Sequence, residues 1–486
     1  MSKNPNLIRS RFAPSPTGEL HIGGARTALF NYLLAKKNQG QFILRIEDTD
    51  TKRNEEIFVN NLYQDLLWLG LNPDETIYRP SDYGPYRQTE RLDIYKKYVD
   101  KLIEEKKVYY CFCSPEELAQ EKEDYIKKNQ RRNYQYSRKC LNLSQNEISS
   151  LLEKKKPYVL RLEVPRDKSY IFQDLVRGEV IFQGQDIEDF VLFRQSGIPN
   201  YNFACVIDDN LMKISHILRG EEHLSNTGKQ LVLYEVLSWK PPFFGHISLI
   251  LNKEKKKLSK RDKETSQWQL INQLRAKGYL PQAIVNYLLF LGWHPGTIQE
   301  IFSLSEAIEN FKLEGLNPRG AVYDLEKLNW YNNYYTQQLN LTDFSEYSWK
   351  VLEKEYRLSI EKKNLTAQIA LLFRPQLNYF QELVELTSCF FQRPNLEIKI
   401  KENEILWLED LIKEFNDLNK WEVENIKLTL KSVCLKNQAP KKDFYSLVRK
   451  IFTGKEKGPE LPQIIHLLNK KEILERYNSS INIRMS

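Results

Sequence analysis

Between residues 8 and 69 the chain alternates twice between a strand pattern and a helical one. Ile8, Ser10 and Phe12 alternate with polar neighbours and run into Pro14, which predicts a short strand ending at a turn. Ala25 to Lys37 predicts a helix and Gln41 to Ile46 a second strand. Asn54 to Leu69 predicts a second helix, with Ile57, Leu62, Leu66 and Leu69 on its inner face and Gly70 as its stop. Hairpin turns cannot connect that order of elements. It implies a parallel α/β unit with a right-handed crossover.

Further along, VIDD at 206–209 and ISHILRGEEHL at 214–224 read as strands feeding polar loops. His246 to Leu251 is a third strand-like run, leading into the charged loop NKEKKKLSKRDK. From Leu92 to Asn200 the pattern breaks into charged helical pieces and short strands such as Tyr158 to Val164, which predicts a domain inserted into the α/β fold. No glycine occurs between Gly320 and Gly454, where Leu, Glu, Lys and Asn dominate at helical spacing, so this part is expected to be all-α.

At 486 residues the chain exceeds one hydrophobic core and should form several folding units. Its 41% apolar and 28% charged composition is that of a globular protein, and the net charge of +8 leans toward a polyanionic partner. The start, MSKNPNLIRSRFAPSP, has no apolar signal region, and no run reaches the length of a membrane span, so a cytoplasmic protein is expected. Six cysteines in a chain this long make no disulfide framework, although Cys111, Cys113 and Cys140 fall close together.

In open parallel sheets, ligands bind beyond the carboxyl ends of the strands, and both PSPTGELHIGG and EDTD fall there. Pro14 and Pro16 fix the backbone, Gly18, Gly23 and Gly24 remove side chains, and the next helix offers its free N–H groups to an anion. Such a turn suits a phosphate-bearing ligand. A Pro/Gly connector with a surface histidine would have the same composition.

The wider pattern separates the two. His21-Ile22-Gly23-Gly24 resembles the first signature of class I aminoacyl-tRNA synthetases, with Gly24 where the class-wide pattern has histidine. RFAPSPTGELHIGGARTALFN together with LRIEDTD resembles the glutamyl-tRNA synthetase family in particular. The second class signature is a lysine-serine-lysine loop, and Lys257-Leu258-Ser259-Lys260-Arg261 matches it. The likeness continues through GPYRQTERLDIY, PNYNFACVIDD, ILRGEEHL and VYDLEKLNW, covering nearly the whole chain.

The resemblance implies that ATP, with Mg2+, activates L-glutamate to glutamyl-adenylate, and that the glutamyl group then passes to the 3' end of tRNA(Glu). It implies His21, Lys257 and Lys260 as the donors that stabilise charge on phosphate oxygens. Gly18, Gly23, Gly24, Glu222, Leu258, Ser259 and Arg261 join His21 and Lys260 around ATP. For glutamate it implies Arg11, Ala13, Ser15, Glu47, Tyr201, Cys205 and Arg219: Arg11 and Tyr201 on the side chain, Arg219 on the α-carboxylate, Ser15 and Glu47 on the ammonium. Arginine's fork suits a carboxylate. Taken singly, each of these residues also fits a strand-end ion pair.

The implied organisation is a Rossmann-type nucleotide-binding domain (residues 1–92 and 201–240), split by an α+β acceptor-binding insertion (93–200). A stem-contact region carrying the KLSKR loop follows (241–335), then two helical anticodon-binding domains (336–395 and 396–486). A monomer is expected. In some relatives the insertion holds zinc through Cys-x-Cys and a later cysteine with histidine or tyrosine. Here Asn142 replaces the histidine, which leaves two readings: Zn2+ on Cys111, Cys113, Tyr136 and Cys140, or three reduced cysteines in a small core. Arg374 matches a position that contacts the last anticodon base in some relatives, and Arg before Pro equally suits a helix C-cap. Trp407 and Trp421 are expected in the core. The glutaminyl enzyme, with its β-barrel anticodon module, fits the glycine-free half poorly. A shorter relative that glutamylates a tRNA base lacks that half, and an inactive tRNA-binding protein would not need the intact signatures.

Overall fold

The computed structural model describes residues 7–50, 55–129, 134, 136–258, 268–395 and 400–482. Its contacts divide the chain into two compact units, one formed by 1–274 with 284–325 and the other by 275–283 with 326–486.

The first unit is built on β1 (Arg9–Phe12), α1 (Ile22–Lys37), β2 (Gln41–Leu44) and α2 (Glu56–Trp68). These are the two strand–helix pairs expected from the sequence. β1 and β2 run parallel, with Arg9 opposite Gln41 and Phe12 opposite Leu44. α1 starts three residues earlier than its apolar run suggests, because the His21 ring accepts the backbone N–H of Gly23 and caps the helix. Leu29, Phe30 and Leu33 of α1 are fully buried. Each stabilises the fold by about 1.5–3 kcal/mol in transfer terms. α2 ends at Gly70, whose φ of 79° only glycine adopts without strain. Its inner face differs from expectation: Ile57 is exposed and Val59 buried.

Next come α3 (Leu92–Glu104), β3 (Val108–Cys111), α4 (Pro115–Asn129), α5 (Gln145–Glu153), β4 (Val159–Leu162), β5 (Ser169–Asp174), β6 (Gly178–Gln183) and β7 (Val191–Arg194). β3, β4 and β7 form an antiparallel sheet, and β5 and β6 a separate hairpin. α6 (Tyr201–Leu211), β8 (His216–Gly220), α7 (Leu224–Val236) and β9 (Phe243–Ile247) return the chain to the first sheet. That sheet has the order β2-β1-β8-β9, all parallel, with the insertion entering between β2 and β8.

Two expectations are corrected here. VIDD lies on α6, not on a strand. Its apolar residues are buried on several sides, and a short run buried in that way looks the same in helix and strand. The run from His246 to Leu251 is divided: β9 ends at Ile247, and β10 (Ile250–Leu251) pairs in parallel with β11 (Ala321–Val322) outside the main sheet.

The second unit is helical, as the lack of glycine predicts. Helices 341–356, 363–373 and 382–391 pack together, and a further set between 402 and 482 shares its own core, in which Trp407 is buried and Trp421 half-buried against it. No helix among the described residues is long and apolar enough to cross a membrane.

Candidate active site

β1 and β8 end side by side, and their carboxyl ends open into a cavity of about 240 Å3. Its lining includes Arg11, Ala13, Ser15, Glu47, Tyr201 and Arg219. It also includes Gly23, Gly24 and Glu222. Nine of the residues that resemblance assigns to glutamate or ATP are thus brought to one concavity. Thr27 and His223, for which the sequence offered no reading, line it as well.

The charges around this cavity are held by a buried network. Arg11 donates from Nε and Nη2 to the two Asp209 oxygens at 3.3 and 3.2 Å. Arg45, fully buried, donates to Asp209 at 2.6 Å and to Glu47 at 2.9 Å. Burial opposes ionisation of Asp209, but the two guanidiniums outweigh it and bring its pKa down to about 2. In Glu47 burial prevails over Arg45 and Arg11, and its pKa rises. The adjacent residue, Asp208, accepts from Arg91, Gln88 and Tyr95. The acids of VIDD therefore serve as anchors for arginines, a role visible only once they are placed on a helix.

Two guanidiniums keep one nitrogen free. Arg11 makes no hydrogen bond from Nη1 to any described residue, since Asp209 and the Cys205 sulfur take its other nitrogens. Arg219 donates from Nη2 to Thr227 and Gln230, both at 2.8 Å, and from Nε to His246 at 3.2 Å. Its Nη1 is buried without a partner among the described residues. A buried cationic N–H left unmatched costs roughly 1–3 kcal/mol or more unless a ligand accepts it. Both arginines border the same cavity, so it is arranged to receive anionic oxygen.

Cys205 lies behind Arg11 rather than on the cavity wall. Its Sγ is fully buried, 3.5 Å from Arg11 and 3.4 Å from Asp209, and burial pushes its thiol up to about 12. Tyr201 sits 3.3 Å from the His223 ring nitrogen. Burial, reinforced by Arg219, lowers the His223 pKa to about 4. His223 is therefore neutral at pH 7.

At the other side, Gly23 N–H donates to His21 Nδ1, which places the imidazole proton on Nε2, 2.7 Å from Gln269 Oε1. A Cβ added at Gly23 would meet only that ring, at an ordinary 3.5 Å, so packing does not demand glycine there. Lys257 is exposed at the end of a turn from Asn252, and Leu258 is buried, its N–H donating to Ile250 O. Ser259, Lys260 and Arg261 lie outside the described residues.

In the insertion, the sulfurs of Cys111, Cys113 and Cys140 lie within 4.8 Å of one another. The Tyr136 hydroxyl is 3.5 and 3.3 Å from the first two and accepts the Cys140 N–H at 3.1 Å. The Arg161 guanidinium stacks on the Tyr136 ring at 4.6 Å. The Cys111 thiol is held down by Cys140, Tyr136 and Arg161 together. Three sulfurs and one phenol oxygen, converging from separate stretches of chain, bring together four candidate donors, the number a structural zinc takes.

In the second unit Arg374 ends the helix 363–373 and donates to the carbonyls of Thr336, Gln337 and Leu339, capping the end of the helix 325–338.

The chain matches two family models, "tRNA synthetases class I (E and Q), catalytic domain" over residues 7–330 and "Anticodon binding domain" over residues 340–481. It is 43% identical over 485 residues to a glutamate–tRNA ligase of Geobacillus stearothermophilus, covering 98% of each chain. It is 40% identical over 483 residues to one of Mycoplasma genitalium, again covering 98% of each. A crystal structure of a glutamate tRNA ligase from Elizabethkingia meningosepticum in complex with its amino acid superposes with a TM-score of 0.86 at 34% identity, covering 98% of this chain and 99% of that one.

Proposed function

The chain belongs to the class I tRNA synthetases of the glutamate and glutamine branch, and on that footing we propose that it is an ATP-dependent glutamate–tRNA ligase. One observation carries the choice of amino acid: two cavity-lining arginines, Arg11 and Arg219, each offer an Nη1 that no described residue accepts. A dicarboxylic amino acid supplies one carboxylate for each. Arg11, with Tyr201 beside it, takes the side-chain carboxylate, Arg219 the α-carboxylate, and Ser15 with Glu47 the ammonium. Ala13 adds cavity wall, and Cys205 supports Arg11 from behind.

In the first step the α-carboxylate of glutamate attacks the α-phosphorus of ATP and pyrophosphate departs. In the second, a hydroxyl of the terminal ribose of tRNA(Glu) attacks the acyl carbon and AMP departs. Negative charge grows on phosphate oxygens in the first step, so preorganised donors lower the barrier. His21 is such a donor because its cap bond to Gly23 keeps the proton on Nε2. Gly18, Gly23 and Gly24 give the nucleotide access to the backbone at the start of α1, and Lys257 and Lys260 of the second signature supply further donors. Mg2+ bound with the ATP would neutralise charge on its phosphates. Glu222, exposed at the rim of the cavity, would lie near the nucleotide.

Residues 93–200 contact the acceptor end, with Zn2+ on Cys111, Cys113, Tyr136 and Cys140 as a structural staple. The region 241–335 contacts the stem, and the domains 336–395 and 396–486 read the anticodon. Arg374 contributes there through Nη1, the nitrogen its capping bonds leave over. The protein acts as a cytoplasmic monomer. Glutamate-dependent ATP–pyrophosphate exchange, with and without tRNA, tests the proposal. Exchange is expected with tRNA present, and no exchange under either condition would refute it.

A further inference from the structure

Arg219 is steered by two buried groups in series that reach into the insertion. Its Nε–H donates to His246 Nε2 at 3.2 Å, and the other ring nitrogen, Nδ1, lies 2.5 Å from Asp174 Oδ2. His246 and Asp174 have fully buried side chains. Asp174 ends β5, in the hairpin that packs on β9.

The hydrogen bonds admit one protonation pattern. Because Arg219 has only protons to give, Nε2 must accept, so the imidazole proton sits on Nδ1 and points at Asp174. The Thr227 hydroxyl accepts from Arg219 Nη2 and lies 2.9 Å from the same Nε2 and 3.4 Å from His223 O, the two acceptors open to its one proton. Asp174 cannot turn its carboxylate, because Oδ1 already accepts the N–H groups of Val176, Arg177 and His246 at 2.9, 3.0 and 3.2 Å. Burial, with Arg219 and Arg177 nearby, lowers the His246 pKa against the pull of Asp174, so the ring is neutral at pH 7.

We propose that Asp174 and His246 are positioning residues for substrate: they lock one imidazole tautomer, which holds Arg219 by Nε and leaves its Nη1 for the α-carboxylate. This rests on the assignment of Arg219 to that carboxylate. It gives the inserted segment a part in amino-acid binding that no residue of the signature motifs reveals.

Asp174→Asn is the decisive variant. Oδ1 must stay an oxygen to serve three backbone donors, so the new NH2 group faces His246 Nδ1 and drives the ring proton to Nε2, against the Arg219 N–H. Aminoacylation by the full chain should then show a glutamate KM raised by about tenfold or more, the value of one hydrogen bond to a charged group, with the KM for ATP unchanged. Spectra of 15N-histidine-labelled protein, with the His246 signals assigned by their loss in His246→Gln, should show that ring protonated on Nδ1 in the native chain and on Nε2 in the Asp174→Asn variant, against His466, whose Nδ1 faces Trp421 O in both. Native spectra in which the His246 ring is not protonated on Nδ1 overturn the proposal even if the variant fails to fold. Arg219→Lys separates the two claims. If it raises the glutamate KM while Asp174→Asn does not, the relay falls; if it changes nothing, the assignment of Arg219 falls and the relay with it.

Discussion

Asp209→Asn removes the negative charge from between two buried guanidiniums. The carboxylate bonds to Arg11 at 3.2 and 3.3 Å and to Arg45 at 2.6 Å, and all three side chains are buried. Its pKa falls from an ordinary 3.8 to about 2. At about 1.4 kcal/mol per unit, that displacement corresponds to roughly 2–3 kcal/mol of native-state stabilisation. Removing one partner of a buried pair typically costs about 3–5 kcal/mol. Asparagine keeps an acceptor for one arginine, so about 3 kcal/mol is expected. Because the folded pKa is the lower one, the contribution is complete above pH 3.8 and fades as pH falls through 2. Urea unfolding of native and variant chains between pH 2 and 7 measures this, read on the transition that glutamate shifts, since the chain has two units. A loss below about 1 kcal/mol at pH 7, or a difference that persists undiminished to pH 2, would refute the reasoning.

Three further outcomes are expected. Lys260→Ala should slow glutamyl-adenylate formation by about 10² to 10³, the usual value of one transition-state donor, measured by pyrophosphate exchange; near-normal turnover would remove Lys260 from the chemistry. Gly23→Ala should leave thermal stability equal or higher by up to about 1 kcal/mol, since the helix tolerates alanine and the space is open, while raising the KM for ATP; a drop in melting temperature would mean that packing requires the glycine. Elemental analysis should find one zinc per chain, lost in Cys113→Ala; a metal-free native protein would leave the three cysteines as a small reduced core.

The sequence made the parallel sheet legible because its first two strand–helix pairs have clean periodicity and unambiguous stops. It made the cavity wall legible because motif residues sit at strand ends, where topology gathers them. It did not show Arg45, Asp208 or Asp209 as a network. Arg45 lies in an apolar strand run with only Glu47 near it in sequence, and Asp208 and Asp209 arrive more than 160 residues later on a helix that reads equally as a strand. Asp174, His246 and Thr227 were hidden for the same reason: each is ordinary in its own neighbourhood, and only the docking of the β5–β6 hairpin on β9 joins them. Local pattern reports elements and their ends, whereas buried polar partnerships are settled by tertiary contact.

The account turns on two arginine nitrogens selecting a dicarboxylic amino acid. The direct measurement is aminoacylation of tRNA(Glu) by the full chain with glutamate and with glutamine, compared as kcat/KM. With Arg11 held by Asp209 and offering Nη1 to a side-chain carboxylate, glutamate should lead glutamine by about 10² or more, because the amide gives Nη1 a neutral oxygen in place of a charged one. Equal use of the two amino acids, or a preference for glutamine, would contradict the assignment of this cavity.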